Sequence, residues 1–416
     1  MDERNWSRTY TYGATTLHRP ATFEALREIV ARAPKVRALG SRHSFNAIAD
    51  SAELVSLDRL PTEIVIDERG STVSCGAAVR YGELACALAE HGLALRNLAS
   101  LPHISVAGAV ATATHGSGDG NGNLATAVAA MTLVTSAGEV IEATRRDPEF
   151  DGMVVGLGAL GVVARLTLDV VAAYEVRQQV FERLPWEALS ELDDIMSAGY
   201  SVSLFTQLRD VAEQVWVKRR SDIASEPLGP DFFGAQPARA QLHPVPGMDP
   251  TFTTEQLDVA GPWLDRLPHF RMEFTPSSGE ELQSEYVVRR RHALDALDAV
   301  RSLAPLIQPL LQVCEIRTIA GDELWLSTAN GGASVAIHFT WKPDQVGVER
   351  LLVRLEDALA PFDARPHWGK VFLMDAPTIA QRYPRLADFR RLCAQLDPRG
   401  AFRNAWLERH VLGLER

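Results

Sequence analysis

Residues 22–33, TFEALREIVARA, place apolar side chains at helical spacing, and KVRAL at 35–39 then reads as a strand entering a glycine-bearing loop. Short strand candidates follow at ELVSL (53–57), EIVIDE (63–68) and TVSCG (72–76). YGELACALAEHG (81–92) predicts a helix that stops on Gly92. Residues 104–123, ISVAGAVATATHGSGDGNGN, hold many glycines and small side chains and few that pack as a core helix. AAMTLVTSAGEVIEA (129–143) predicts a hairpin turning at Ala137-Gly138. LGVVARLTLDVVAAYEVRQQVF (160–181) is a long β-branched run, expected as a strand leading out of a first domain. From about 175 to 380 the connections lengthen, with a Pro/Gly-rich stretch at 226–250. LQVCEIRTI (311–319) and ASVAIHFTW (333–341) read as strands among helical segments, and RPHWGKVFLM (365–374) as a third strand. The tail LADFRRLCAQLDPRGAFRNAWL (386–407) reads as helix then loop. The expected organisation is a first domain over 1–175, a second over 176–380, and a segment over 381–416 returning to the first.

Composition narrows the function classes. A chain of 416 residues with 46% hydrophobic and 23% charged residues is long enough for two domains with large cores. A net charge of −11 argues against non-specific binding to nucleic acid or to an anionic membrane. Cys75, Cys86, Cys314 and Cys393 lie far apart with no CxxC, so neither a metal site nor a disulfide framework is indicated. The first ten residues lack the apolar core of a signal peptide, and no stretch has the length of a membrane span. A cytoplasmic, monomeric enzyme is expected. Only four of the 42 basic residues are lysines (Lys35, Lys218, Lys342, Lys370), which gives weight to a lysine in a suggestive context.

Several motifs compete. GLGALG at 156–161 fits the dinucleotide fingerprint GxGxxG, but that motif needs a helix N-terminus after it to meet the pyrophosphate. The residues that follow, VVARLTLDV, favour a strand, which argues against a Rossmann site. HGSG at 115–118 resembles an esterase oxyanion loop, yet no GxSxG nucleophile turn occurs anywhere in the chain. A flavin reading does better. The loops 38–46 and 100–118 both offer backbone N–H groups to a pyrophosphate, and Ser105, Gly108, Ala109, Thr112 and Thr114 allow close approach of a flat cofactor. Taken alone, each loop equally fits a turn-rich connection, and His43 a hydrogen-bonded loop histidine.

The second half adds independent chemistry. Alternation along a strand sets Glu315 and Arg317 on the face opposite Cys314 and Ile316, and His338 and Thr340 opposite Ile337, Phe339 and Trp341. In RPHWGKVFLM the same alternation groups Trp368, Lys370 and Phe372 on one side. A solvent-facing side of an antiparallel sheet has the same pattern. The set is nonetheless chemically narrow: a carboxylate, a guanidinium, an imidazole, a hydroxyl and a rare lysine, suited to a neutral polyol.

Across residues 38 to 370 the chain resembles the alditol oxidases, FAD enzymes of the vanillyl-alcohol-oxidase type. The stretches are GSRHSFN, NLASLPHISVAGAVATATHGSG, LGALGVV, HPVPGM, FTPSSGEELQSEY, CEIRT, HFTW and RPHWGK. The resemblance implies an α+β fold of two domains: an FAD-binding domain of two α+β subdomains, and a substrate domain with an antiparallel sheet flanked by helices. It implies FAD bonded covalently to His43, with Gly40, Ser41, Arg42 and Ser44 as its cradle. Ser100, Ser105, Gly108, Thr112, Ala113, Thr114, His115, Val163 and His367 match further flavin-contacting positions. Glu315, Arg317, Thr340, Lys370 and Ser100 match the substrate site. The catalytic residues would be Lys370 and Arg317, easing alkoxide formation, and His338, taking part in proton removal. The implied partners are a small polyol and O2, with hydride passing to the flavin and H2O2 released. One departure is Arg42, where related flavoenzymes often have glycine before the linking histidine. Aldonolactone oxidases and dehydrogenases share the covalent histidine, a Glu-x-Arg pair and an HWGK-like motif, so that function stays open. A flavin-binding protein without turnover is the more distant alternative.

Overall fold

The computed structural model describes residues 3–67, 69, 71–223, 228–273 and 281–414. The chain opens with β1 (Thr16–His18), helix α1 (Phe23–Arg32), β2 (Val36–Ala38) and β3 (Glu53–Val55), a small parallel sheet in the order β1-β3-β2. Thr22 caps α1 by accepting from the Ala25 amide, and Leu26 and Val30, four residues apart, bury the inner face against Val36 and Val55. Losing that cap would cost about 1 kcal/mol.

A second, antiparallel sheet follows. Its strands are β4 (Ile64–Asp67) and β5 (Thr72–Gly76), then, beyond α2 (Tyr81–Glu90), β6 (Leu93–Ala94) and α3 (Val106–Ala111), the hairpin β7 (Val128–Val134) and β8 (Val140–Thr144). Helix α4 (Phe150–Val154) and β9 (Val162–Asp169) complete it in the order β4-β5-β9-β7-β8. The hairpin turns where expected, with Gly138 at φ +75°. Two expectations need correction. Residues 104–123 do form a helix, α3, which buries Val106, Ala109 and Val110 because small side chains let it sit close to its neighbours. The 160–181 run is not one strand. It breaks into β9, β10 (Val171–Ala172), paired with β6, and β11 (Glu175–Pro185) in another sheet.

From β11 onward the chain builds one nine-stranded sheet. After α5 (Leu192–Ser197) come β12 (Ser201–Thr206), β13 (Val211–Arg220), and the short edge pieces β14 (Gln236–Pro237) and β15 (Ala260–Pro262). Next are β16 (Leu282–Arg289), α6 (Ala293–Ser302), α7 (Ala304–Ile307), β17 (Leu311–Ile319), β18 (Ser334–Trp341), α8 (Gln345–Leu359) and β19 (Arg365–Pro366). The order is β14-β11-β13-β12-β17-β18-β16-β19, with β15 on β11. All the pairings in this sheet are antiparallel. Cys314, Ile316, Ile337 and Phe339 share one core with Leu297 and Val300 of α6 and Leu352 and Leu355 of α8, so the helices cover that face. The polar face is left for a site. Residues 224–227 of the Pro/Gly-rich stretch and 274–280 of FTPSSGEELQSEY, like Glu68 of EIVIDE and Met1 and Asp2 at the N-terminus, lie outside the described residues.

The expected third strand at 365–374 is also corrected. Only Arg365–Pro366 is strand. The His367 amide donates to Glu285 O and the Val371 amide to Gln283 O, so four residues advance here while β16 advances two. The excess is taken up by a turn closed by the Lys370 amide on His367 O. Trp368 packs on Tyr383 and Phe372 on Trp406 in the core, whereas Lys370 lines a cavity, so the three do not share a side.

Helices α9 (Ala376–Arg382) and α10 (Leu386–Leu396) lead to a tail that binds the first sheet. The Val36 amide donates to Ala401 O, and the buried Arg37 guanidinium donates to Phe402 O and Leu157 O, each at 2.5 Å. Lys35 Nζ donates to Gly400 O at 2.8 Å.

Candidate active site

A cavity of about 940 Å3 runs between the two halves of the molecule, at the upper end of the range for small-molecule sites. Its first-half wall holds Gly40, Ser41, Arg42, His43 and Ser44 from the loop after β2, and Ser100, Ser105, Gly108, Thr112, Thr114 and His115 around α3. Val163 of β9 and His367 also line it. Ala113 does not: fully buried at φ +54°, it turns the backbone behind the wall. GLGALG forms part of the wall without being a Rossmann turn, since β9 follows it directly. Its last glycine, Gly161, is needed for close packing, because a Cβ there would stand 2.6 Å from Val134 O.

Arg42 adopts φ +62°, the left-handed region that glycine enters without strain. Here Arg42 pairs with Glu3 at 3.1 Å, and its carbonyl accepts from the Trp6 amide, so the N-terminal segment holds the loop in shape. His43 Nδ1 lies 3.0 Å from Ser41 Oγ, while its Nε2 is buried with no hydrogen-bond partner. Burial, reinforced by His103 and Arg80, pulls the ring down to about 3, so it is neutral at physiological pH.

The second-half wall is set by strand register. Glu315 of β17 stands opposite His338 of β18, and His338 opposite Glu285 of β16, which puts all three in one row on the polar face. Thr340 and Gln283 are opposite each other in the next row. Arg317 faces the small Ala336, which leaves its guanidinium room to lean toward Glu285. Glu315, Arg317, His338, Thr340 and Lys370 all line the cavity.

Glu285 is the hub of this cluster and was not singled out from sequence. Its Oε2 takes Lys370 Nζ at 2.6 Å and Arg317 Nη2 at 2.9 Å and lies 3.0 Å from His338 Nδ1, and its Oε1 lies beside His115 Nε2. Burial works against its ionisation, yet Lys370, His115 and Arg317 hold the carboxyl well below the usual carboxylate range. Lys370 Nζ also lies 2.7 Å from His338 Nδ1, and His338 Nε2 lies 3.1 Å from Thr340 Oγ1. Burial and the neighbouring Lys370 pull His338 down to about 4, so it is neutral and free to take a proton. Burial also lowers Lys370, opposed chiefly by Glu285. Two carboxylates thus face one ammonium and one guanidinium beside the neutral His338 ring, a surface on which carboxylates and cations are equal in number. The available signal was the alternation in LQSEYVVR, which sets Gln283 and Glu285 on one face as in the other two strands.

Residues 15–144 match the FAD binding domain family, and residues 280–410 the D-arabinono-1,4-lactone oxidase family. Over 408 residues the chain is 52% identical to an alditol oxidase from Streptomyces sp. (strain IKD472 / FERM P-14339), with 97% of each chain covered. The chain belongs to the alditol oxidase family. It is 27% identical to an L-gulono-1,4-lactone dehydrogenase from Mycobacterium tuberculosis over 98% of each chain. Cholesterol oxidase from B. sterolicum has the same fold, with a TM-score of 0.79 at 15% identity over 97% of this chain and 95% of that one. The architecture is the two-domain α+β, vanillyl-alcohol-oxidase-type fold that the sequence led us to expect.

For this family member the first-half wall fits FAD. The orphaned Nε2 of His43 is a buried polar atom lacking a protein partner. A Cβ on either Gly40 or Gly108 would come 2.7 Å from Ser105 Oγ, so a side chain at either position would displace that hydroxyl. The small side chains of α3 give a flat wall next to the Glu285 cluster. Among the described residues no helix is long and apolar enough to cross a membrane, and no cluster of metal-ligating side chains occurs.

Proposed function

We propose that this protein is an FAD-dependent oxidase of alditols such as xylitol and sorbitol, with the flavin attached through His43. The observation that carries this reading is the 52% identity to an alditol oxidase across essentially the whole of both chains. The equal number of carboxylates and cations on the polar face supports it, because a neutral polyol needs hydrogen bonds rather than a net counter-charge. Bound FAD would supply a hydride acceptor that O2 returns to its oxidised form with release of H2O2.

The chain's own residues account for the rest. Lys370 and Arg317 are cations buried beside the site, fixed in advance by Glu285, and they lower the cost of charge developing on a substrate oxygen. His338, neutral at working pH, carries one ring lone pair to take the hydroxyl proton, beside the Lys370 ammonium that faces the alkoxide. Glu315 and Thr340 hold the remaining hydroxyls and set the orientation of the carbon chain. In an extended alditol such contacts select for a hydroxyl on each carbon, since an analogue lacking one leaves a buried polar group unpaired.

The match of residues 280–410 to the D-arabinono-1,4-lactone oxidase family favours a second reading, oxidation of an aldonolactone. An oxygen-electrode screen separates the two. Xylitol and sorbitol should consume O2 and yield one peroxide per turnover, while vicinal diols react slowly and 1-butanol hardly at all. Fast turnover of galactono- or gulonolactone with xylitol inert would establish the lactone reading instead.

A further inference from the structure

Behind Glu315 lies a second layer of polar groups that the reaction as described does not use. Lys218 on β13, one of the four lysines, is 1% exposed. Its Nζ lies 2.5 Å from Leu267 O, 3.1 Å from Pro268 O and 3.3 Å from His269 Nδ1, which matches its three N–H donors with three acceptors. His269 is held by its own amide on Ser100 O and by the rings of Phe205 and Trp216, at 5.5 and 5.2 Å between centroids. Its Nε2 stands 2.8 Å from Glu315 Oε1.

We propose that Lys218 and His269 are positioning residues for substrate: Lys218 locks His269 in the Nε2–H tautomer, so that His269 clamps Glu315 Oε1 and leaves Oε2, beside Arg317, to receive a substrate hydroxyl. The inference rests on the alditol reading for the identity of that hydroxyl, but not for the clamp itself. The carboxylate of Glu315 only accepts, so Nε2 must carry hydrogen. Burial, aided by Lys218, pulls His269 down to about 4, which keeps the ring neutral and leaves Nδ1 a bare lone pair. Such a lone pair needs an N–H donor; burial pulls Lys218 down to about 7, yet its nitrogen keeps N–H groups in either form, and it is the donor in reach.

The other edge of Glu315 is incomplete within the protein. Arg317 Nε is buried with no hydrogen-bond acceptor, and Glu315 Oε2 lies 3.6 Å from it. A hydroxyl both accepts and donates, so one seated there satisfies Arg317 Nε and Glu315 Oε2 together. A carboxylate free to rotate about its last bond would lose that pairing.

The test uses the flavin-loaded enzyme with 15N-labelled histidine, the His269 signals being assigned by their loss in His269→Gln. Wild type should give ring nitrogen shifts of the Nε2–H form. Lys218→Met should shift them toward a tautomer mixture. His269→Phe should raise KM for xylitol about ten- to hundredfold, as for losing a hydrogen bond to a charged group, while anaerobic flavin reduction at saturation stays within about threefold. His269→Gln, whose amide accepts from Lys218 and donates to Glu315, should restore most of the affinity, which a merely packed side chain would not. An Nδ1–H ring in wild type overturns the proposal, as does equal xylitol affinity in wild type and His269→Phe, or failure of glutamine to improve on phenylalanine. If wild type shows the Nε2–H form but turns over no alditol, the clamp stands and the alditol reading falls.

Discussion

Glu285→Gln tests the charge arrangement on which the reaction depends. The substitution keeps the shape of the side chain and removes one charge from a fully buried carboxylate that meets two cations and two imidazoles. Lys370 and Arg317 would then be left as buried cations without their shared anion. Removing one member of a buried ion pair costs about 3–5 kcal/mol. The unfolding entropy of a chain this long is roughly 0.9 kcal/mol/K, so a loss of that size lowers Tm by about 3–6 °C. The chemical effect should be larger. Glu285 is the main influence opposing the burial that lowers Lys370, so without it less of the ammonium remains to face a substrate oxygen. Thermal melts followed by circular dichroism would give the first quantity, and anaerobic stopped-flow reduction of the flavin by xylitol the second, with a fall of about a hundredfold or more expected. A variant that melts within about 1 °C of wild type and is reduced at the wild-type rate would refute the reasoning, because no buried charge would then depend on Glu285.

Lys370→Met should keep a near-wild-type flavin spectrum yet slow reduction by about a hundredfold or more, as for loss of a charge aimed at the transition state; reduction at the wild-type rate would remove Lys370 from the chemistry. Wild-type protein precipitated with acid should stay yellow and fluoresce in a denaturing gel, and His43→Ala should release its flavin; release of all flavin from wild type would rule out the covalent link. The pH profile of kcat/KM on xylitol should hold from neutral pH down to about 5 and fall through about 4 as the His338 ring takes a proton, the direction required for a ring whose pKa is lowered and whose neutral form is active. A fall centred at the ordinary histidine value near 6.5 would contradict the burial that Lys370 and the sheet impose.

Local pattern determined much of this protein. Period-two alternation put Glu315 with Arg317 and His338 with Thr340 on polar faces, and the strand after GLGALG excluded a Rossmann turn, because each depends only on residues a few positions apart. The glycine-bearing loop around His43 was legible for the same reason. What alternation assigns is a face, not a neighbour. The row Glu315, His338, Glu285 exists because three strands pair in one register, and register is set by packing across the whole sheet. Lys370 reaches that row only through the two-residue excess opposite β16, which reversed the side expected for it relative to Trp368 and Phe372. His115 and Glu285 meet across 170 residues, and Lys218 and His269 come to Glu315 from separate segments. No local period encodes such meetings, since they are paid for by long-range burial of the core that draws the segments together.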